Sequence, residues 1–182
     1  MHTTSRIFAG VLLLAAPAAF AQSSATQNVT ATARIYAPIT LTPINTGLSF
    51  GDIIPGPAIG TVVLDPVAGA RTRTGGVPTL PVTSSMAVQA ARFNVGGTAN
   101  AAYAVTLPTA AVTLTGPSAA TMTATTFTAS VGGAATVPAT PSPTGNIGAT
   151  VQTLAVGATL NVGINQVAGD YTGTFALTVT YN

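Results

Sequence analysis

Three carboxylates (Asp52, Asp65, Asp170), five guanidiniums (Arg6, Arg34, Arg71, Arg73, Arg92) and one imidazole (His2) are all the charged or near-neutral titrating side chains in these 182 residues. There is no Cys, Lys, Glu or Trp. A Ser or Thr nucleophile needs a neighbouring base to take its proton, and beyond His2 the usual bases are missing. Acid–base work by a carboxylate pair would have to draw on the three Asp. Each of those sits beside a turn former, Gly51, Pro66 or Gly169, where Asp bonds nearby backbone instead. A hard-cation site takes six or more oxygen ligands from clustered acids, and zinc takes thiolates and imidazoles. The glycines at Gly56 and Gly60 lack the Lys and the strand–helix setting of a phosphate loop. Arg71 and Arg73 could meet an anion, but a solvated loop is the simpler reading. The residue types therefore imply no catalytic residue, no cofactor and no metal. A net charge of +2, with no run of basic residues, gives no footprint for nucleic acid.

The elements that would carry these residues are strands. Only 4% of the chain is charged and 47% is hydrophobic, which excludes a disordered chain. Thr and Val are abundant, and a branched Cβ suits a pleated surface. The 19 Gly and 13 Pro interrupt the chain too often for a long helix. Many short strands between Gly/Pro turns predict one all-β domain, a sandwich or a barrel. Alternation predicts strands over 29–35, 39–42, 48–51, 61–64, 91–95, 103–107, 112–114, 122–127, 151–154, 160–164 and 171–181. The stretches 68–81 and 137–145, rich in Gly or Pro, read as loops.

The first 21 residues read as a secretory signal. Arg6 precedes an apolar run from Ile7 to Ala16, too short for a bilayer span of about 20 residues. Pro17 breaks the run, and Ala19-Phe20-Ala21 supplies a cleavage site before Gln22. The expectation is export through a cleaved signal peptide, with no transmembrane segment left afterwards. The chain is expected to pass through the periplasm to the cell surface or the medium. The domain plan is 1–21 signal, 22–36 N-terminal extension and 37–182 folded domain.

The most regular segment is AGDYTGTFALTVTYN. It sets Tyr171, Gly173, Phe175, Leu177, Val179 and Tyr181 on one face at period two, with Thr and Ala on the other. A slip of one residue would turn the whole apolar set to water, so the register is firmly specified. This ending resembles the terminal strand of chaperone–usher pilins, with Gly169 fourteenth from the end and an aromatic at the penultimate position, Tyr181. Val29, Ala31, Ala33 and Ile35 stand where such pilins carry an alternating N-terminal extension. LSFGDIIPG, AARFNVGGTANAAYAVTLP and LNVGINQVAGDYTGTFALTVTYN resemble an exported bacterial family known as domain of unknown function 4402, with pilin-like features of the spore coat U kind.

The resemblance to pilins implies an immunoglobulin-like antiparallel β-sandwich that lacks one strand. Val29, Ala31, Ala33 and Ile35 would be donor side chains, and Gly169, Tyr171, Phe175, Leu177, Val179 and Tyr181 would form the acceptor strand. Partners would be other copies or related subunits, with a periplasmic chaperone and an outer-membrane usher. The function so implied is a non-enzymatic subunit of a cell-surface fibre or coat. The chain departs from many pilins in having no Cys pair. The residues equally allow the extension to fold back as an ordinary first strand. That would give a self-complete exported sandwich acting as an adhesin or a carbohydrate- or surface-binding module. An outer-membrane barrel fits less well, because it wants aromatic girdles and strands of 9–11 residues.

Overall fold

A computed structural model of the chain describes residues 23–45, 47–81 and 85–182. The expected signal peptide, residues 1–21, falls outside the described residues. The chain divides into two compact units, Met1–Arg34 and Ile35–Asn182. In the first, residues 23–34 form no strand, and each of them is exposed. The strand expected over 29–35 is therefore absent: the alternation is there, but no ladder.

The second unit is an all-β sandwich of antiparallel sheets, as the strand-rich composition requires. Its strands are β1 (Thr40–Pro43), β2 (Ser49–Phe50), β3 (Gly60–Leu64), β4 (Arg71–Gly75), β5 (Val88–Gln89), β6 (Ala91–Gly96), β7 (Ala102–Thr106), β8 (Val112–Thr115), β9 (Thr121–Val131), β10 (Val137–Pro138), β11 (Thr144–Asn146), β12 (Val151–Val162) and β13 (Thr178–Tyr181). One eight-stranded sheet contains β1, β3, β4, β6, β8, β9, β10 and β12, while β11-β7-β13 and β2-β5 form two smaller sheets. Among the described residues no helix is long and apolar enough to cross a membrane.

β12 organises the large sheet. Along one edge it pairs with β9, and its other edge is shared: β6 lies beside Val151–Val156 and β3 beside Ala158–Val162. The change of neighbour falls at Gly157, where a Cβ would overlap the Leu64 carbonyl and crowd Pro66. The separate strands expected over 151–154 and 160–164 are thus one strand of 12 residues. Gly157 is a point of close backbone approach rather than a break.

Two further expectations are corrected. Residues 71–75, read as part of a loop, form β4 and pair with β3 from Gly60↔Gly75 to Leu64↔Arg71. Residues 137–138 and 144–145, inside the other expected loop, pair with β9 and β7.

The core lies between the sheets. Tyr103 and Val105 point inward from β7 with Leu107 just beyond it, Val62 and Leu64 from β3, Phe127 from β9, and Leu154, Val156 and Leu160 from β12, all buried. Each such Val, Leu or Phe contributes about 1.5–3 kcal/mol of transfer free energy. The Tyr103 hydroxyl reaches the Gln152 Oε1 at 3.2 Å, so the most buried phenol keeps a partner.

Candidate strand-acceptor groove

The C-terminal segment shows in its burial the period that the sequence prescribes. Tyr171, Phe175, Leu177, Val179 and Tyr181 are half-buried, while Thr172, Thr174, Ala176, Thr178 and Thr180 are exposed, as is Gly173. Phe175, Leu177, Val179 and Tyr181 pack on the core, and the Phe175 ring lies 4.9 Å from Phe127, centroid to centroid.

The backbone is less regular than the side chains. The expected strand 171–181 is in a ladder only at its end, where β13 pairs with β7 from Thr178↔Thr106 to Tyr181↔Tyr103. Continuing that register would set Ala176 opposite Pro108, which has no N–H to offer. The chain after β7 instead crosses to the large sheet, where β8 pairs with β9. It meets the C-terminal segment again at one bridge, with Thr115 N–H donating to Thr172 O at 2.8 Å and Thr172 N–H to Thr115 O at 3.1 Å. Among the described residues, Gly173 to Leu177 make no backbone hydrogen bond. β13 is also the edge strand of its sheet.

Both ends of this stretch are anchored. At the start, the Tyr171 hydroxyl donates to Val167 O and accepts from Gln166 Nε2, each at 2.8 Å. Gly169 turns the chain into the segment with φ +140°, and the Pro117 ring occupies the place of a Cβ. At the far end, the Tyr181 hydroxyl donates to Ala37 O at 2.8 Å and accepts from Thr98 N–H at 2.8 Å. Ala37 N–H in turn donates to Thr98 Oγ1 at 2.7 Å, and the Tyr36 and Tyr181 rings lie 5.2 Å apart.

Facing the segment 168–173 and Phe175 across a cavity of about 460 Å³ is the stretch 48–53, which contains β2. The floor is apolar: Val112 and Leu114 of β8, Met122, Ala124 and Phe127 of β9, and Leu160 and Val162 of β12. The 48–53 wall is fixed from behind by Arg71. Its guanidinium donates to the carbonyls of Phe50 and Asp52 at 2.7 Å and of Pro81 at 3.2 Å. Arg71 is half-buried and holds backbone, which corrects the reading of a solvated loop. The Asp52 carboxylate accepts from Ser85 N–H at 2.6 Å and Ser85 Oγ at 2.9 Å, so it ties down a remote segment rather than its own turn. Asp65 does serve its own turn, accepting from Val67 N–H at 2.6 Å.

Of the predicted acceptor residues, Gly169, Tyr171 and Phe175 line this cavity, while Leu177, Val179 and Tyr181 pack on the core without lining it. Of the predicted donor residues, Val29 is 86% and Ile35 93% exposed, and Ala31 and Ala33 are exposed too. The opposite wall, its Arg71 support and the Tyr181 clasp escape a reading of the sequence, since each joins residues far apart in the chain. The groove lining offers no ligand set: among the described residues no three His, Cys, Asp or Glu cluster to hold a metal. Burial pushes the pKa of the Tyr103 phenol up to about 12.

A family model, Domain of unknown function (DUF4402), matches residues 39–181. No curated protein matches the chain. The chain belongs to the DUF4402 family.

Proposed function

We propose that this DUF4402 protein is a non-enzymatic structural subunit of a bacterial cell-surface fibre or coat. It assembles by strand addition, the exposed segment Val29–Ile35 of one copy completing the groove of the next. The observation that carries this reading is the stretch Gly173–Leu177. From Thr174 to Leu177 its side chains alternate between exposed and half-buried, its backbone bonds nothing among the described residues, and Gly173 and Phe175 line an apolar cavity. A strand laid there would gain main-chain hydrogen bonds, with alternate side chains entering the groove.

Length agrees. Six residue steps, roughly 20 Å of extended chain, separate Val29 from Ile35, enough to cover the four steps, roughly 13 Å, from Gly173 to Leu177. Val29 and Ile35 would each contribute about 1.5–3 kcal/mol on burial. On this reading the sandwich is immunoglobulin-like and pilin-like, and the chain is exported with its first 21 residues removed. A periplasmic chaperone would cover the groove until an usher exchanges it for the next subunit. The non-enzymatic part rests on the side-chain inventory, which after His2 offers three Asp and four Arg besides Arg6.

The test is a peptide of residues 22–37 added to a chain that begins at Tyr36. Saturable one-to-one binding with a rise in thermal midpoint is expected. A scrambled peptide that binds equally well, or no binding at all, would overturn the reading.

A further inference from the structure

We infer that the Arg34–Ile35 peptide bond is a processing site for an arginine-specific endopeptidase, and that cutting it turns the molecule into a terminator of assembly. The site is argued from the arginines alone, and its consequence rests on the strand-addition reading.

Such an enzyme takes a basic side chain into a pocket that carries a carboxylate, and it binds the substrate backbone in an extended form. The bond it cuts must lie in exposed chain that no ladder holds. The chain has no Lys, and Arg6 falls in the expected signal peptide, so four arginines compete. Three of them are built into the sheet. Arg71 and Arg73 of β4 stand opposite Leu64 and Val62 of β3, and Arg92 of β6 stands opposite Ala155 of β12. Their guanidiniums are turned to backbone too: Arg71 holds the 48–53 wall, Arg73 donates to Val77 O at 2.8 Å, and Arg92 donates to Val67 O at 3.1 Å. Arg92 is also held through its own backbone, N–H to Asn45 Oδ1 at 3.0 Å and carbonyl from Ile44 N–H at 2.8 Å. Arg34 differs in setting. Residues 23–39 form no strand, and each residue from 23 to 38 is exposed. The residue after Arg34 is Ile35, so no proline blocks the bond.

The position of the cut decides what it does. Hydrolysis adds water across the amide: the C–N bond breaks, Arg34 gains a carboxylate and Ile35 an amino group. The segment Gln22–Arg34 leaves, and Val29, Ala31 and Ala33 leave with it. What stays behind begins at Ile35, the first residue of the second compact unit. It keeps all of the matched family domain, from residue 39 onward, and the bonds that hold Ala37 to Thr98 and Tyr181. The cut molecule therefore retains its groove and lacks its donor. It accepts a neighbour's extension and passes none on, so growth stops there. A molecule already assembled is spared, because its residues 29–35 are then paired in a ladder and closed to the enzyme.

The experiment digests the chain from Gln22 with trypsin under native conditions and weighs the fragments. One early cut is expected, after Arg34, giving residues 22–34 and 35–182. Cuts after Arg71, Arg73 or Arg92 should be slower by about a hundredfold or more, because those strands must open first. Arg34→Lys should be cut at the same bond, and Arg34→Gln should resist while melting at the same temperature. A first cut in β4 or β6, or an Arg34 bond cut no faster than the others, would overturn the site. The cut protein is then mixed with intact chain and followed by light scattering. Alone it should form no multimers, and in the mixture it should shorten them in proportion to the amount added. In preformed multimers the Arg34 bond should be cut about tenfold more slowly than in the monomer. Intact chain that assembles to the same length with or without the cut protein would overturn the terminator role. If the intact chain never assembles, the strand-addition reading fails and the terminator role falls with it. In the organism that makes the protein, a fraction of the molecules should begin at Ile35; a population in which none does would overturn the processing.

Discussion

The Tyr181 hydroxyl donates a 2.8 Å hydrogen bond to the carbonyl of Ala37, 144 residues earlier, and accepts one of 2.8 Å from the Thr98 amide. One phenol thereby joins the last strand, the root of the extension and the turn after β6. Tyr181→Phe keeps the ring and removes both bonds. At about 0.5–1.5 kcal/mol net for each bond, urea denaturation should show a loss of about 1–3 kcal/mol with an unchanged slope. Thr180→Val, on the exposed face next to it, should stay within about 0.5 kcal/mol.

The extension allows assembly to be separated from folding. Val29 and Ile35 are 86% and 93% exposed, so Val29→Asp and Ile35→Asp should leave the monomer's unfolding free energy within about 0.5 kcal/mol. In the acceptor groove the same carboxylates would be desolvated without a partner, and multimers should be lost. A drop in monomer stability would instead place these side chains in the molecule's own core.

Arg71 supports the groove wall through three backbone carbonyls, those of Phe50, Asp52 and Pro81. Arg71→Ala should cost about 2–4 kcal/mol, since bonds to a charged donor are worth about 1.5–3 kcal/mol each and this site is partly open to water. Faster amide exchange at residues 49–52 is the local signature. Arg71→Lys should rescue little, because an ammonium cannot present the guanidinium's planar fork to carbonyls on separate segments.

Alkali should act through Tyr103. Burial pushes its pKa up to about 12, against about 10 in an unfolded chain, so the folded state holds this proton more tightly. Stability from this group is complete below pH 10 and falls away as pH rises from about 10 to about 12. Tyr103→Phe should remove that part of the alkaline loss. It should cost about 1 kcal/mol at neutral pH, the net value of the bond to Gln152.

The sequence was most informative where the pattern reports burial. The inward set Tyr103, Val105 and Leu107, the strand Thr61–Leu64 and the alternation Tyr171–Tyr181 all reappear as faces of the sandwich. Alternation records which side meets apolar neighbours, and it is silent about backbone pairing. Hence Tyr171–Leu177 keeps its inward face with a single bridge at Thr172, and Val29–Ile35, just as periodic, has no ladder. β4 was missed because Arg71, Arg73, Gly75 and Gly76 have the composition of a loop. Its strand character comes from β3 and from carbonyls some twenty residues back. β12 runs on through 155–159, between the two expected strands, and Gly157 there lets the Leu64 carbonyl and Pro66 press close to its backbone. The groove was half legible: the inward face of Tyr171 and Phe175 follows from periodicity, whereas the 48–53 wall depends on contacts that no local pattern encodes.

The most direct measurement is an SDS gel of the protein beginning at Gln22, run unboiled and boiled beside a variant lacking residues 22–35. Strand addition predicts a ladder in the unboiled intact sample that collapses on boiling and is absent from the variant. A folded monomer in every lane would contradict it and leave a sandwich that closes without a partner.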